Sequence, residues 1–278
     1  MKNPINVQHQ ISAASVSDTG RIRGHNEDTI GADLSIGLHV LADGMGGYNA
    51  GEVASELAVK TILSIVQEAY SRQTLSTTDR MSGLMRPSII LRDAILRANK
   101  IVHLSSKSKT NCAGMGTTIV AMLFYQDKVI AAHVGDSRLY RLRGGTLKQL
   151  TIDHSLLQEL VDRGFYSEEE ALQSTNKNFV TRALGVENTV EVDVREHIMQ
   201  SGDLYMLCSD GLTDMLDEHC IADILKTAGH SLQETAQQLV DRANMAGGRD
   251  NISVMLAHID QLYTPVPTLL ERIRSWLS

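Results

Sequence analysis

Four aspartates of this chain occupy one kind of place in the sequence, each at the end of an apolar, β-rich stretch. Asp43 follows Leu38-His39-Val40-Leu41-Ala42 and precedes Gly44, and Asp136 follows the run Val129 to Gly135. Asp210 follows Leu204 to Ser209 and precedes Gly211, and Asp250 stands just before the run that starts at Ile252. Taken singly, an aspartate beside a glycine at a strand end is an ordinary turn former. Four at matching ends raise another reading. If those ends lie at one edge of packed sheets, the carboxylates converge, and such a group repels itself unless protons or cations neutralise it. Ligands that are all oxygen favour hard ions such as Mg²⁺, Mn²⁺ or Ca²⁺. The adjacent glycines let the backbone come close enough to add a carbonyl.

A second polar cluster runs from Ser17 to Asp28 and holds Arg23, His25, Glu27 and Asp28. Arg23 offers the planar fork that suits a phosphate, and Glu27 and Asp28 are able to bind a metal or its waters. Spacing alone reads this stretch as a solvated loop. The ten histidines form no His-x-x-x-His pair and the three cysteines, Cys112, Cys208 and Cys220, no Cys-x-x-Cys pair, so zinc has little support.

Composition narrows the class. The 278 residues are 42% hydrophobic and 21% charged, ordinary values for a globular chain, with a net charge of −7 that disfavours nucleic-acid binding. No stretch is long enough to cross a bilayer, and Met1 to Gln10 lacks the apolar segment of a secretion signal. The unpaired cysteines fit a reducing compartment, so a cytoplasmic location is expected.

The elements that must position the aspartates follow from periodicity. Strands are expected at Ile11–Ser17, Leu38–Ala42, Thr117–Phe124, Lys128–Val134, Leu139–Leu142, Leu147–Leu150, Asp203–Cys208 and Ile252–Ile259. Helical spacing marks Ala54 to Ile65, a helix entered at Pro87, His154–Arg163, a short one from Ser167 to Leu172, and one capped by Ser231 and Glu234. Ser71 to Gly83 reads as a loop. Strands joined by hairpins, rather than a regular strand–helix alternation, point to antiparallel sheets.

Six segments in register then carry a resemblance: Arg23-x-x-Asn26-Glu27-Asp28, Ala42-Asp43-Gly44-Met45-Gly46-Gly47, Gly116-Thr117-Thr118, Val134-Gly135-Asp136-Ser137-Arg138, Cys208-Ser209-Asp210-Gly211 and Arg249-Asp250-Asn251-Ile252-Ser253. Together they resemble the metal-dependent protein phosphatases of the type 2C class in their bacterial form, from about Ser12 to Ile259. The resemblance implies an α+β fold, a four-layer α-β-β-α sandwich of two antiparallel sheets flanked by helix pairs, in one catalytic domain over 1–262 with a flap about 153–185. It implies a protein serine/threonine phosphatase with two Mn²⁺ or Mg²⁺ ions and a third, weaker one. Asp43 would bridge the two ions, the Gly44 carbonyl would bind one, and Asp210 and Asp250 would complete the other. Asp136 matches the position of the third ion, Glu27 and Asp28 would hold metal-bound water, and Arg23 would bind the substrate phosphate. The implied partners are phosphoserine and phosphothreonine proteins and an opposing eukaryotic-like serine/threonine kinase, with a monomer expected and no stable membrane insertion.

One position departs from the eukaryotic pattern: Met45 stands where those members carry a histidine proposed as general acid. Methionine donates no proton, so metal-bound water, His25 or His154 are the candidates left. Tyr263 to Pro267 reads as a stiff linker, and within 263–278 Leu269, Leu270, Ile273, Trp276 and Leu277 share one face of a short amphipathic helix, either docked on its own domain or offered to a partner. The rival functional readings are an inert phosphatase-fold regulator or adaptor and a calcium-binding module. The second lacks the Asp-x-Asp-x-Asp-Gly loop it would need.

Overall fold

The computed structural model describes residues 10–47, 50–72, 83–108, 110–167, 170, 179–227 and 231–262. The linker and C-terminal helix expected over 263–278, most of the loop Ser71–Gly83 and the helix expected from Ser167 to Leu172 lie outside the described residues.

Two antiparallel sheets pack face to face. The first orders β1 (Gln10–Asp18), β11 (Ile252–Gln261), β10 (Leu204–Cys208), β7 (Arg138–Arg143) and β8 (Thr146–Gln149). The second orders β2 (Asp28–Asp33), β3 (Leu38–Met45), β5 (Ile119–Tyr125), β6 (Lys128–Val134) and β9 (Asp193–Ile198), with the two-residue β4 (Gly116–Thr117) pairing β3. Helices α1 (Ala50–Ser71) and α2 (Arg86–Ser108) cover the outer face of the second sheet. The short helices α4 (Asp210–Thr213), α5 (Glu218–Lys226) and α6 (Leu232–Met245) cover that of the first, while α3 (Leu156–Asp162) stands in the flap. The expected four-layer α-β-β-α sandwich is what is found.

Strand alternation sorts the side chains into layers. In β3, Leu38, Val40 and Ala42 pack against the helices, whereas Leu41 joins the inter-sheet core with Met122, Phe124, Tyr205, Leu207 and Met255. His39 and Asp43 share the Leu41 face. The central strands are buried on both sides, which is why they read as continuous apolar runs.

The structure departs from the expected elements in several places. The strand expected over Thr117–Phe124 breaks at Thr118, whose N–H donates to the Asp43 carbonyl (2.8 Å) and whose Oγ1 accepts from the Asp43 N–H (3.1 Å). Those bonds tie the break to the end of β3. Asp28, read from spacing as part of a solvated loop, is instead the buried first residue of β2. Strands β2 and β9 and helices α4 and α5 are absent from the expected elements. No described helix is long and apolar enough to cross a membrane.

Candidate metal centre

The strand ends do converge. Asp28 and Asp43 are direct cross-strand partners in β2 and β3. Ser209 Oγ, immediately before Asp210, donates to Asp28 Oδ2 at 2.8 Å, bringing the end of β10 in the first sheet onto the start of β2 in the second. The Asp43 and Asp210 carboxylates lie close enough to perturb each other's ionisation. Thr118 Oγ1 and Ser137 Oγ, 2.7 Å apart, tie the Asp43 strand end to the turn that carries Asp136. Asp250 closes the group from the start of β11, where Arg23 Nη2 donates to its Oδ2 at 2.6 Å.

Two glycines make the approach possible. A Cβ on Gly44 would stand 2.2 Å from the Gly51 carbonyl oxygen and 2.7 Å from that of Glu27, so only glycine lets the end of β3 slide against the first turn of α1. A Cβ on Gly211 would stand 2.0 Å from the Asn251 carbonyl oxygen, and its absence lets the turn after Asp210 lie against β11.

The electrostatics of the cluster are those of an anionic site without its counter-charge. Desolvation is the first cause that raises Asp43 and Asp210 well above the usual carboxylate range. For Asp43 the charges of Asp28, Asp210 and Asp136 follow, and for Asp210 those of Asp136, Asp250 and Asp214. Burial likewise pushes Asp28 and Asp136 to about 6. Like charges brought together in a recess repel, and either protons or cations must balance them. Three sealed oxygens, Glu27 Oε1, Asp28 Oδ1 and Asp210 Oδ1, find no hydrogen-bond partner among the described residues. Native interiors rarely leave such acceptors unpaired. An all-oxygen donor set with vacant acceptors fits a hard divalent cation.

Asn251, which the sequence marks only as part of the Arg249-Asp250-Asn251-Ile252-Ser253 segment, holds the N-terminal cluster in place. Its Oδ1 accepts from the Glu27 N–H (2.8 Å), and its Nδ2 donates to the carbonyls of Thr19 (2.9 Å) and His25 (3.0 Å). The loop carrying Arg23 is thus stapled to β11. Asn251→Ala is expected to cost roughly 1–3 kcal/mol in urea unfolding, because it strands a backbone N–H and two carbonyls. Arg23 itself is half exposed at the rim, a guanidinium anchored on Asp250 and open to solvent on its other side. Asp214, absent from the sequence expectations, adds its charge to Asp136 and Asp210 from the C-terminal end of α4.

The two histidines in question part company. His25 stands at the rim with Nε2 at 3.4 Å from Glu27 Oε1. His154 is buried behind the Asp136 turn, stacked on His133 with ring centroids 4.6 Å apart. His133, His154 and Asp193 lie close enough together to share one ion. The hydrogen bonds oppose it. The Gly135 N–H donates to His154 Nδ1 (3.1 Å), which leaves the imidazole proton on Nε2, facing Asp193 Oδ2 at 3.4 Å, and the Arg182 guanidinium sits 3.4 Å from that same nitrogen. A metal at Nε2 would need the opposite tautomer.

Comparison with known proteins agrees with this geometry. The family model described as protein phosphatase 2C matches residues 24–246. A serine/threonine phosphatase, stp, of Listeria welshimeri is 43% identical over 244 residues, spanning 86% of this chain and 92% of its own. The serine/threonine protein phosphatase PstP of Mycobacterium tuberculosis is 35% identical over 247 residues, 88% of this chain but 44% of the longer relative. The crystal structure of the M. tuberculosis phosphatase PstP/Ppp superposes with a TM-score of 0.79 at 34% identity, covering 90% of this chain and 99% of that one. A PstP catalytic domain described in complex with two manganese ions superposes with a TM-score of 0.74 at 34% identity, covering the same shares. A shared fold, relatives up to 43% identical over most of the length and a family match over residues 24–246 place this chain in the protein phosphatase 2C family.

Proposed function

We propose that the chain is a metal-dependent protein serine/threonine phosphatase that hydrolyses phosphoserine and phosphothreonine with water activated at a binuclear Mn²⁺ or Mg²⁺ centre. The observation that carries this reading is the converging set of desolvated carboxylates with vacant oxygens. On this reading Asp43, the Gly44 carbonyl, Asp210 and Asp250 would hold the two ions, and Asp136 would serve a third. Bound there, the ions would supply a water acidic enough to attack phosphorus at neutral pH and positive charge against the phosphoryl oxygens.

The chain's own residues do the rest. Arg23, free on its outer side, places two parallel N–H donors on the substrate phosphate. Glu27 Oε1 and Asp28 Oδ1 are acceptors aimed into the recess and orient the waters there. Met45, the last residue of β3, contributes no proton, so the leaving oxygen takes its proton from solvent-derived water or from His25 at the rim.

The match over most of the chain supports one catalytic domain over 1–262, and phosphoproteins made by a serine/threonine kinase in the cytoplasm are the substrates this reading implies. Hydrolysis of p-nitrophenyl phosphate and of a phosphothreonine peptide, with Mn²⁺ and with chelator, tests it. Activity is expected only with metal; turnover that survives chelation would reject the centre, and no turnover with any divalent ion would leave a phosphatase-fold adaptor. Arg23→Ala is expected to raise KM for both substrates about tenfold or more, the worth of a charge-assisted hydrogen bond, with a smaller change in kcat. An unchanged KM would remove Arg23 from the phosphate site.

A further inference from the structure

Away from the aspartates, the flank between the two sheets gathers cations that no carboxylate balances among the described residues. On β7, Tyr140 and Leu142 pack toward α5 and α6, so Arg141 points to the inner face of its sheet. Lys148 of β8 is its direct cross-strand partner. On the edge strand β9, Val194 packs toward α1 and α2 and Glu196 bonds Ser88 and the Met85 N–H of the α2 layer, so Arg195 and His197 turn the opposite way. The flank is closed at one end by Arg143, whose Nη2 donates across from β7 to the Ile198 carbonyl of β9 at 2.8 Å.

Among the described residues Arg141, Lys148 and Arg195 have no ion pair, and two sealed nitrogens in the cleft, Arg141 Nε and His197 Nε2, have no hydrogen-bond partner. The one buried carboxylate nearby cannot serve them. Asp203 already accepts from Arg143 Nε and Nη2, the Gln200 N–H and the Tyr205 hydroxyl. Burial first, and then the charges of Arg141, Arg195 and Lys148, hold His197 toward its neutral form. Three formal positive charges, two of them guanidinium forks, with no ion-pair partner among the described residues make a cationic recess. Its complement is a compact oxyanion of more than one charge.

We propose that this lateral cleft binds a phosphate-type oxyanion, with Arg141 and His197 at its floor and Arg195 and Lys148 at its lip. The phosphate group is either free or carried on a protein side chain. The site is separate from the metal centre and does not depend on the phosphatase reading.

The test is NMR of the full chain loaded with diamagnetic Mg²⁺, following the Arg side-chain Nε–H signals and the His197 imidazole. One arm adds inorganic phosphate, the other a non-hydrolysable phosphonate analogue of a phosphothreonine peptide. The Arg141 and His197 signals are expected to shift saturably in at least one arm. The apparent dissociation constant is expected to weaken at least fivefold in Lys148→Ala/Arg195→Ala, while the Arg23 response, which reads the metal centre, stays as in the wild type. Tighter saturation by the peptide analogue identifies a phosphoprotein as the occupant, and saturation by inorganic phosphate at equal or lower concentration identifies the free anion. Shifts that stay linear in both arms, or that saturate equally in the double variant, would overturn the proposal. Both substituted side chains are exposed, so the variant keeps its core.

Discussion

Asp210→Asn is expected to lower metal-dependent hydrolysis by three orders of magnitude or more, while making the metal-free chain more stable than the wild type. The two halves have one cause. Asp210 carries a sealed oxygen without a partner among the described residues and, besides its burial, feels the charges of Asp136, Asp250 and Asp214, all of which act against its ionisation. In chelator, removing that charge relieves repulsion, and the amide adds a donor for Asp43; a gain of roughly 1–3 kcal/mol is the expected scale. With Mn²⁺ present the order reverses. The wild type gains stability by mass action because the folded chain binds the ion, and the variant gains little. A thousandfold loss of rate corresponds to about 4 kcal/mol of barrier. Thermal unfolding in chelator and in Mn²⁺, beside p-nitrophenyl phosphate turnover, reads all of this. A variant less stable than the wild type in chelator would mean that the carboxylates are not in mutual repulsion, and the metal reading would lose its physical basis.

The same balance explains which parts of the site could be read from the residues alone. Asp43, Asp136, Asp210 and Asp250 were visible because each ends a strand buried on both faces, and such strands announce themselves as apolar runs. Asp28 was harder. Its strand, Asp-Thr-Ile-Gly-Ala-Asp, lies at the edge of the second sheet, where solvent on one side removes the need for apolar residues. The other edge strand of that sheet, Asp-Val-Arg-Glu-His-Ile, escaped notice for the same reason, and the cationic cleft escaped with it. The role of Asn251 was out of reach because its three bonds span more than two hundred residues and depend on how β11 meets the N-terminal loop. Sequence patterns report burial well and long-range polar contacts hardly at all. The break at Thr118 belongs to the second kind, since Thr-Thr within an apolar run reads as continuous strand until the backbone of Asp43 claims it.

His39→Leu is expected to stabilise the chain, and to stabilise it more as the medium becomes acid. His39 sits in the inter-sheet core, 1% exposed, edge-on to Phe124 with ring centroids 5.7 Å apart. Neither ring nitrogen has a hydrogen-bond partner among the described residues. Burial lowers its pKa from 6.5 to about 4, with only a backbone contact near Gly37 acting the other way. Between those two values the unfolded chain takes up a proton that the folded chain refuses, so stability falls as pH drops from 6.5 toward 4. By pH 5 the deficit from this one group is about 2 kcal/mol, on the basis of 1.36 kcal/mol per pKa unit. Leucine has no proton to gain and nearly the same bulk, and it removes two unpaired polar atoms at any pH. Asp28 and Asp136, pushed up to about 6, titrate in the same range but with the opposite sign: their raised folded values favour the folded state as pH falls. The wild-type curve alone therefore does not isolate His39, whereas the difference between wild type and variant does. Urea unfolding at pH 7 and pH 5 in chelator is expected to show the margin in favour of His39→Leu widening by about 2 kcal/mol. A margin that stays constant would mean that His39 keeps its proton in the fold. The inter-sheet core would then hold a charge that none of its neighbours, Phe124, Leu41 and Met122, is able to balance.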